Sequence, residues 1–213
     1  MKEPFKLILI STMDGFEHEI HHVQQMFDEG LECFHLRKPK FSTRRLEDYL
    51  RKIGSRYHPR IMIHSHHELC LSYDLRGIHL TSRHRKKRVL INWLRYHYVK
   101  LRRPHLKVSA GFHTLSEVKE YNGRYDYVFL SPVFDSISKV GYKSTFHDIS
   151  LRETIAESGN KVIALGGVTE DKIIPAMEMG FAGVAVLGSV WKSKDPVDRF
   201  KLIQTKCREL VTT

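Results

Sequence analysis

The chain has 213 residues, 41% of them hydrophobic and 28% charged, enough for one domain with a substantial core, and it carries no Ser/Gly/Pro-rich joint or low-complexity tract. Its net charge of +11 suits anionic ligands, while the densest basic run, Arg83 to Arg88 (RHRKKR), lacks the interleaved aromatic and glycine pattern of an RNA-binding module. The apolar run Leu7 to Ile10 is too short for a membrane span or signal core, and Cys33, Cys70 and Cys207 are widely spaced with no CxxC pattern, which argues against a disulfide scaffold.

These limits lead to an expected cytoplasmic protein with reduced thiols, acting on a small phosphate ester, with neither membrane nor nucleic acid as its main partner. A homodimer stays open. The basic run is read first as a solvated loop and second as an electrostatic funnel.

In chain order, short apolar runs alternate with amphipathic stretches, the mark of repeated βα units. Strands are expected near Lys6 to Ile10, Cys33 to Leu36, Arg60 to Ile63, Gly77 to Leu80, Lys107 to Ala110, Tyr125 to Leu130, Lys161 to Ala164 and Gly183 to Val186. Eight such units fit a minimal α/β (βα)8 TIM barrel, one domain over 1–213. Helices are expected over Glu17 to Glu29, closed at Gly30, and from a Ser42 cap to Ile53, closed at Gly54. Thr114 opens another, with Glu117 at capping-box spacing, and Val197 to Leu210 is the last. A short helix around Leu90 to Tyr96 is also expected.

In such a barrel the working residues follow the strands. His35, Arg37 and Lys38 follow or end the second; His64, Ser65 and His66 the third; His79 and Thr81 the fourth; Gly111, Phe112 and His113 the fifth. The longest loop, Ser131 to His147, holds Ser136, Ser138 and Lys139 after the sixth. Cations and imidazoles therefore gather at one rim, where they can neutralise phosphate and move protons.

The stretch Lys161 to Val190 (KVIALGGVTEDKIIPAMEMGFAGVAVLGSV) organises the rest. Gly166 and Gly167 follow one strand and Gly188 and Ser189 the next, with a helix between that Thr169 can cap and Gly180 can close. Glycine lets backbone N–H groups approach an oxyanion, so these two turns are expected to form a phosphate cup. The bland reading of the same glycines is tight turning alone.

Seven motifs in this order resemble those of the superfamily of thiamine-phosphate synthase and the TenI-type thiazole tautomerases. They are HLRKP at His35 to Pro39, IHSHH at Ile63 to His67, GIHLTS at Gly77 to Ser82, GFHT at Gly111 to Thr114, SPVFDSISK at Ser131 to Lys139, ALGGV at Ala164 to Val168 and GVAVLGSV at Gly183 to Val190. The resemblance implies a TIM barrel acting on thiazole phosphate in thiamine biosynthesis.

Against the synthase pattern, Arg37 is kept, Pro39 replaces a lysine with Lys38 or Lys40 nearby, and His64 and Ser65 stand where Asn-Asp is usual. Arg83 and His84 stand where another acid is usual. Those two carboxylates are the family's Mg²⁺ ligands, and serine or histidine replaces them poorly.

The resemblance then favours the tautomerase branch, with His113 and Lys139 as catalytic candidates and no cofactor. Phosphate and substrate would be held by Arg37, Lys38, His64, Ser136, Ser138, Lys139, Gly166, Gly167, Gly188 and Ser189. The alternative is a thiamine-phosphate synthase, in which case Mg²⁺ is expected; a phosphate-binding or nucleic-acid-binding regulator is the third reading. No metal site is expected otherwise. Strand alternation should split His64, His66 and His67 between faces, and His18, His21 and His22 are read as solvated.

Overall fold

The computed structural model describes residues 4–15, 18–82, 97–134 and 146–209. Eight strands form: β1 Lys6–Ile10, β2 Phe34–Leu36, β3 Ile61–Ile63, β4 Gly77–Leu80, β5 Lys107–Phe112, β6 Tyr127–Leu130, β7 Lys161–Leu165 and β8 Gly183–Val186. They follow one another in sequence order around a closed barrel, and the pairings β1·β8, β2·β3, β3·β4, β4·β5, β6·β7 and β7·β8 are parallel. This is the (βα)8 architecture. Strands covered on both faces need apolar residues throughout, and β2, β3, β6 and β8 are buried at every position, His35 included. Among the described residues, no helix is long and apolar enough to cross a membrane.

Contacts divide the chain into two compact units, Ile10–Ala110 and Met1–Leu9 with Gly111–Thr213. In the first, α1 (Glu19–Asp28) ends in a Schellman motif: Gly30 donates its N–H to Phe27 O and Leu31 donates to Met26 O. Gly30 has φ +97°, which glycine adopts without Cβ strain. The helix α2 (Thr43–Ile53) starts at Ser42, whose hydroxyl accepts from Arg45 N at 3.4 Å, and it buries Leu46, Tyr49, Leu50 and Ile53. Its charged residues occupy the other face, which explains why this helix is amphipathic.

Register fixes which strand side chains meet. His35 pairs with Met62, Met62 with Gly77, Gly77 with Lys107 and His79 with Ser109. Side chains alternate along a strand, so paired residues share a face. His64, two residues beyond Met62, returns to that same face, in line with His79 and Ser109. A Cβ on Gly77 would lie 2.0 Å from the Lys107 carbonyl oxygen, so only glycine fits there.

In the second unit, β7 pairs with β6 and β8, and β8 pairs with Lys6 to Leu9 of β1. Here the helices are α3 (Leu115–Glu120), α4 (Asp148–Glu157), α5 (Ile173–Glu178), the single-turn α6 (Gly188–Trp191) and α7 (Pro196–Glu209). Asp195 caps α7 by accepting from Val197 N and Asp198 N at 2.9 and 3.0 Å. That helix buries Phe200, Ile203 and Cys207; Leu210 lies outside the described residues.

Several local expectations shift. The first helix begins at Glu19, because His18 takes a left-handed φ of +58°. Thr169 gives its hydroxyl to the Asp171 carboxylate and caps no backbone N–H; a 3₁₀ turn, Glu170–Lys172, precedes α5. Thr114 does cap α3 through Glu117 N, but the Glu117 carboxylate accepts from His113 N, one residue before the capping-box position. Residues 97–102 are helical, whereas the expected helix Leu90 to Tyr96 and the basic run Arg83 to Arg88 fall outside the described residues.

Candidate functional site

Three histidines meet inside the unit Ile10–Ala110. His35 on β2, His64 at the end of β3 and His79 on β4 are 0%, 7% and 4% exposed. His35 Nδ1 lies 2.9 Å from His64 Nε2, the His64 and His79 rings stack at 4.1 Å, and His35 sits edge-on to both. His79 Nδ1 is 2.9 Å from the buried Ser109 hydroxyl. His64 Nδ1 is buried and meets no hydrogen-bond partner among the described residues. An orphaned buried polar atom of this kind costs about 1–3 kcal/mol.

Burial and neighbouring cations both disfavour protonation of His35 and His64. Desolvation, aided by the charge of Arg76, lowers the His35 pKa to about 3. His64 is held well below its usual value by burial, then by His79, His35, Arg37 and His67. Near neutral pH both are neutral imidazoles.

Beside this trio, Lys38 is only 1% exposed and forms an ion pair at 2.9 Å with Glu19, itself 3% exposed. Tyr49 Oη donates to Glu19 Oε1 at 2.8 Å, Thr12 N donates to Glu19 Oε2 at 3.1 Å, and Lys38 Nζ reaches Thr12 Oγ1 at 3.0 Å. The Tyr49 phenol is pushed well above its normal pKa by burial and then by the Glu19 charge. Buried charges persist only when paired and hydrogen-bonded, and Lys38 meets that condition internally. The structure thus places Lys38 in a buried brace, where the sequence reading put it on substrate. Arg37 is exposed, its N–H donating to Ser11 Oγ at 2.8 Å.

The unit holding Gly111–Thr213 presents different chemistry. Gly166 and Gly167 have φ of +93° and +67°, and a Cβ on Gly166 would lie 3.0 Å from Pro132 Cα. The carbonyls of Leu165 and Gly166 accept from Val133 N and Phe134 N at 3.0 and 3.1 Å, which fixes the turn against the segment after β6. After β8, Gly188 and Ser189 begin α6. Ser189 Oγ is buried and meets no hydrogen-bond partner among the described residues.

His113, exposed just past β5, is held from two sides. Its N–H donates to Glu117 Oε2 at 2.8 Å, and its Nδ1 lies 2.9 Å from the Ser131 carbonyl oxygen. A carbonyl only accepts, so Nδ1 carries the hydrogen and Nε2 of the neutral ring keeps its lone pair. Ser136, Ser138 and Lys139 lie outside the described residues.

Two groupings were missed by sequence reasoning. Glu19 has no motif signal, since an acid on a first helix looks solvated. For the histidine trio a signal exists: each imidazole lies in, or just past, one of three consecutive strands. His66, past the strand with a left-handed φ of +53°, bonds Thr43 Oγ1 at 2.8 Å and Phe41 O at 3.1 Å; the gathering occurs across strands. Elsewhere, a cleft of about 620 Å³ lined by Asp74, Arg76, Arg102, Arg103 and Lys107 lies where β4 and β5 begin, opposite the ends that carry barrel chemistry.

The thiamine monophosphate synthase family model (TMP-TENI) matches residues 7–190. The chain is 30% identical over 130 residues to thiamine-phosphate synthase of Levilactobacillus brevis, covering 60% of this chain and 57% of that protein. It is 22% identical over 211 residues to the Limosilactobacillus fermentum thiamine-phosphate synthase, covering 92% and 95%. Its fold matches the crystal structure of thiamine phosphate pyrophosphorylase from Bacteroides thetaiotaomicron with a TM-score of 0.75 and 32% identity, over 95% and 97% of the two chains. The chain belongs to the thiamine monophosphate synthase family, a family of thiamine biosynthesis enzymes.

Mg²⁺, which the synthase resemblance implies, fits the described residues poorly. The positions at the ends of β3 and β4 are His64, Ser65, Thr81 and Ser82, offering imidazole and hydroxyl where this hard cation takes carboxylate and water oxygen. Asp74 is committed to Arg103 at 2.6 Å, and Asp135 lies outside the described residues.

Proposed function

We propose that this protein is a divergent thiamine-phosphate synthase, joining hydroxymethylpyrimidine pyrophosphate to thiazole phosphate. The thiazole nitrogen forms the new C–N bond, and the C–O bond to the departing pyrophosphate breaks. The family match over most of the chain and the 32% identical pyrophosphorylase support this reading. The observation that carries the substrate assignment is the buried Ser189 hydroxyl, without a hydrogen-bond partner among the described residues, beside the first-turn amides of α6, which a phosphate oxygen would satisfy.

The test supplies the purified protein with both substrates, with and without divalent cations, and follows thiamine phosphate and pyrophosphate by mass spectrometry. Equal amounts of both products are expected. Ser189→Ala should raise KM for thiazole phosphate about tenfold with kcat little changed, the mark of a lost ground-state contact. Absence of both products under every cation condition would exclude the synthase.

The fixed tautomer of His113 favours a second reading, isomerisation of thiazole carboxylate phosphate by proton transfer. Nε2 would remove a proton at one ring position and return it at another, which needs neither metal nor leaving group. Isomerisation of that substrate without divalent cations, reduced at least about 100-fold by His113→Ala, would establish it. Parental isomerisation by the mutant would remove His113 from the reaction.

A further inference from the structure

We propose that His35, His64 and His79 form a binding site for a divalent transition metal of the Zn²⁺ class. Three adjacent parallel strands deliver the ligands, and register sets them on one face. One ligand-capable nitrogen from each ring lies within 4.8 Å of the other two. A tetrahedral ion with Zn–N bonds of about 2.0 Å needs these nitrogens about 3.3 Å apart, so binding would draw the rings together.

Two details separate this cluster from packed core histidines. Ser109 Oγ engages His79 Nδ1 at 2.9 Å, orienting the ring as second partners of metal-bound histidines do. His35 Nδ1 and His64 Nε2 face each other at 2.9 Å, where only one proton can sit and a cation can take its place.

Imidazole donors select Zn²⁺, Co²⁺, Ni²⁺ or Cu²⁺ over Mg²⁺ and Ca²⁺. Arg37 and Arg76 place positive charge nearby, which opposes a bare dication, and a hydroxide in the fourth position offsets part of that repulsion. The inference is independent of which reaction the protein catalyses, because its readout is metal content and spectrum.

The experiment strips the full chain with chelator and titrates Zn²⁺ calorimetrically and Co²⁺ by visible absorption. One tight equivalent is expected, with the intense bands of tetrahedral Co²⁺. Affinity should fall at least about 100-fold in His64→Ala and His79→Ala and about tenfold in Ser109→Ala. A triple variant, His18→Ala/His21→Ala/His22→Ala, should bind like the parent, which separates the trio from the α1 histidines. Near-UV circular dichroism verifies that each variant is folded; if His64→Ala does not fold, His64→Gln and the Co²⁺ spectrum of the parent decide. No tight equivalent in the folded parent, binding unchanged in the folded trio variants, or loss confined to the α1 variant would overturn the proposal.

Discussion

The units Ile10–Ala110 and Gly111–Thr213 put polar groups at strand ends by opposite means. The second uses main chain: glycines with positive φ, the first turn of α6, and one hydroxyl. The first uses buried side chains, with a lysine–glutamate pair and three imidazoles projecting from neighbouring elements. A backbone nest tolerates little change at a few glycines. Buried side chains each depend on a partner far away in sequence, so failure there should be larger and should spread further.

The largest effect expected from this contrast falls on the Lys38–Glu19 pair. Glu19→Ala leaves Lys38 charged and buried and removes the acceptor of Tyr49, so unfolding free energy from urea titration should fall by about 3–5 kcal/mol. The double variant Glu19→Leu/Lys38→Met should recover much of that loss, since the uncompensated charge is gone. A single variant as stable as the parent would remove the brace from the account of this unit.

Acidification should be nearly as damaging, and its sign follows from the direction of the shifts. His35 has a folded pKa of about 3 against 6.5 unfolded, and His64 is lowered as well. Between those values the unfolded chain binds more protons, so stability is intact above pH 6.5 and is lost as pH falls toward 3. Each group contributes a slope of up to about 1.4 kcal/mol per pH unit. Urea midpoints measured across pH 7 to 4 should decline, and His35→Gln should flatten the curve; an unchanged slope would count against burial as the cause.

In the glycine-built unit the expected losses are smaller. Gly166→Ala forces a Cβ into a left-handed φ and against Pro132, costing about 1–2 kcal/mol, and should also weaken inorganic phosphate binding measured by calorimetry. Stability lost with phosphate affinity unchanged would separate turning from binding. Smallest of all, Ser42→Ala removes the cap of α2 and should cost about 1 kcal/mol in thermal or urea unfolding.

The legibility of the two regions differs for the same reason. The turns at Gly166, Gly167 and Gly188 could be read directly, because glycine's backbone freedom is a property of the residue itself. Gly30, Gly54 and Gly180 announced helix ends in the same way, and all three close helices here. His113 was readable as a polar residue past a strand, yet its tautomer was not, since that depends on the Ser131 carbonyl. Adjacent Arg37 and Lys38 look alike in sequence, yet Arg37 is exposed and Lys38 is buried against Glu19 and Tyr49.

By itself the amino-acid sequence determined the repeating strand–helix rhythm, the eight short buried strands, most caps and the family motifs, because each is set by neighbours a few positions away. Tertiary structure alone decided that Glu19 neutralises Lys38 and that His35, His64 and His79 share one buried cluster. Those contacts join residues 15 to 44 positions apart, and a shift of one residue in strand register would have turned the imidazoles to the other face. Local chemistry chooses the elements, and the pairing between them chooses which side chains meet.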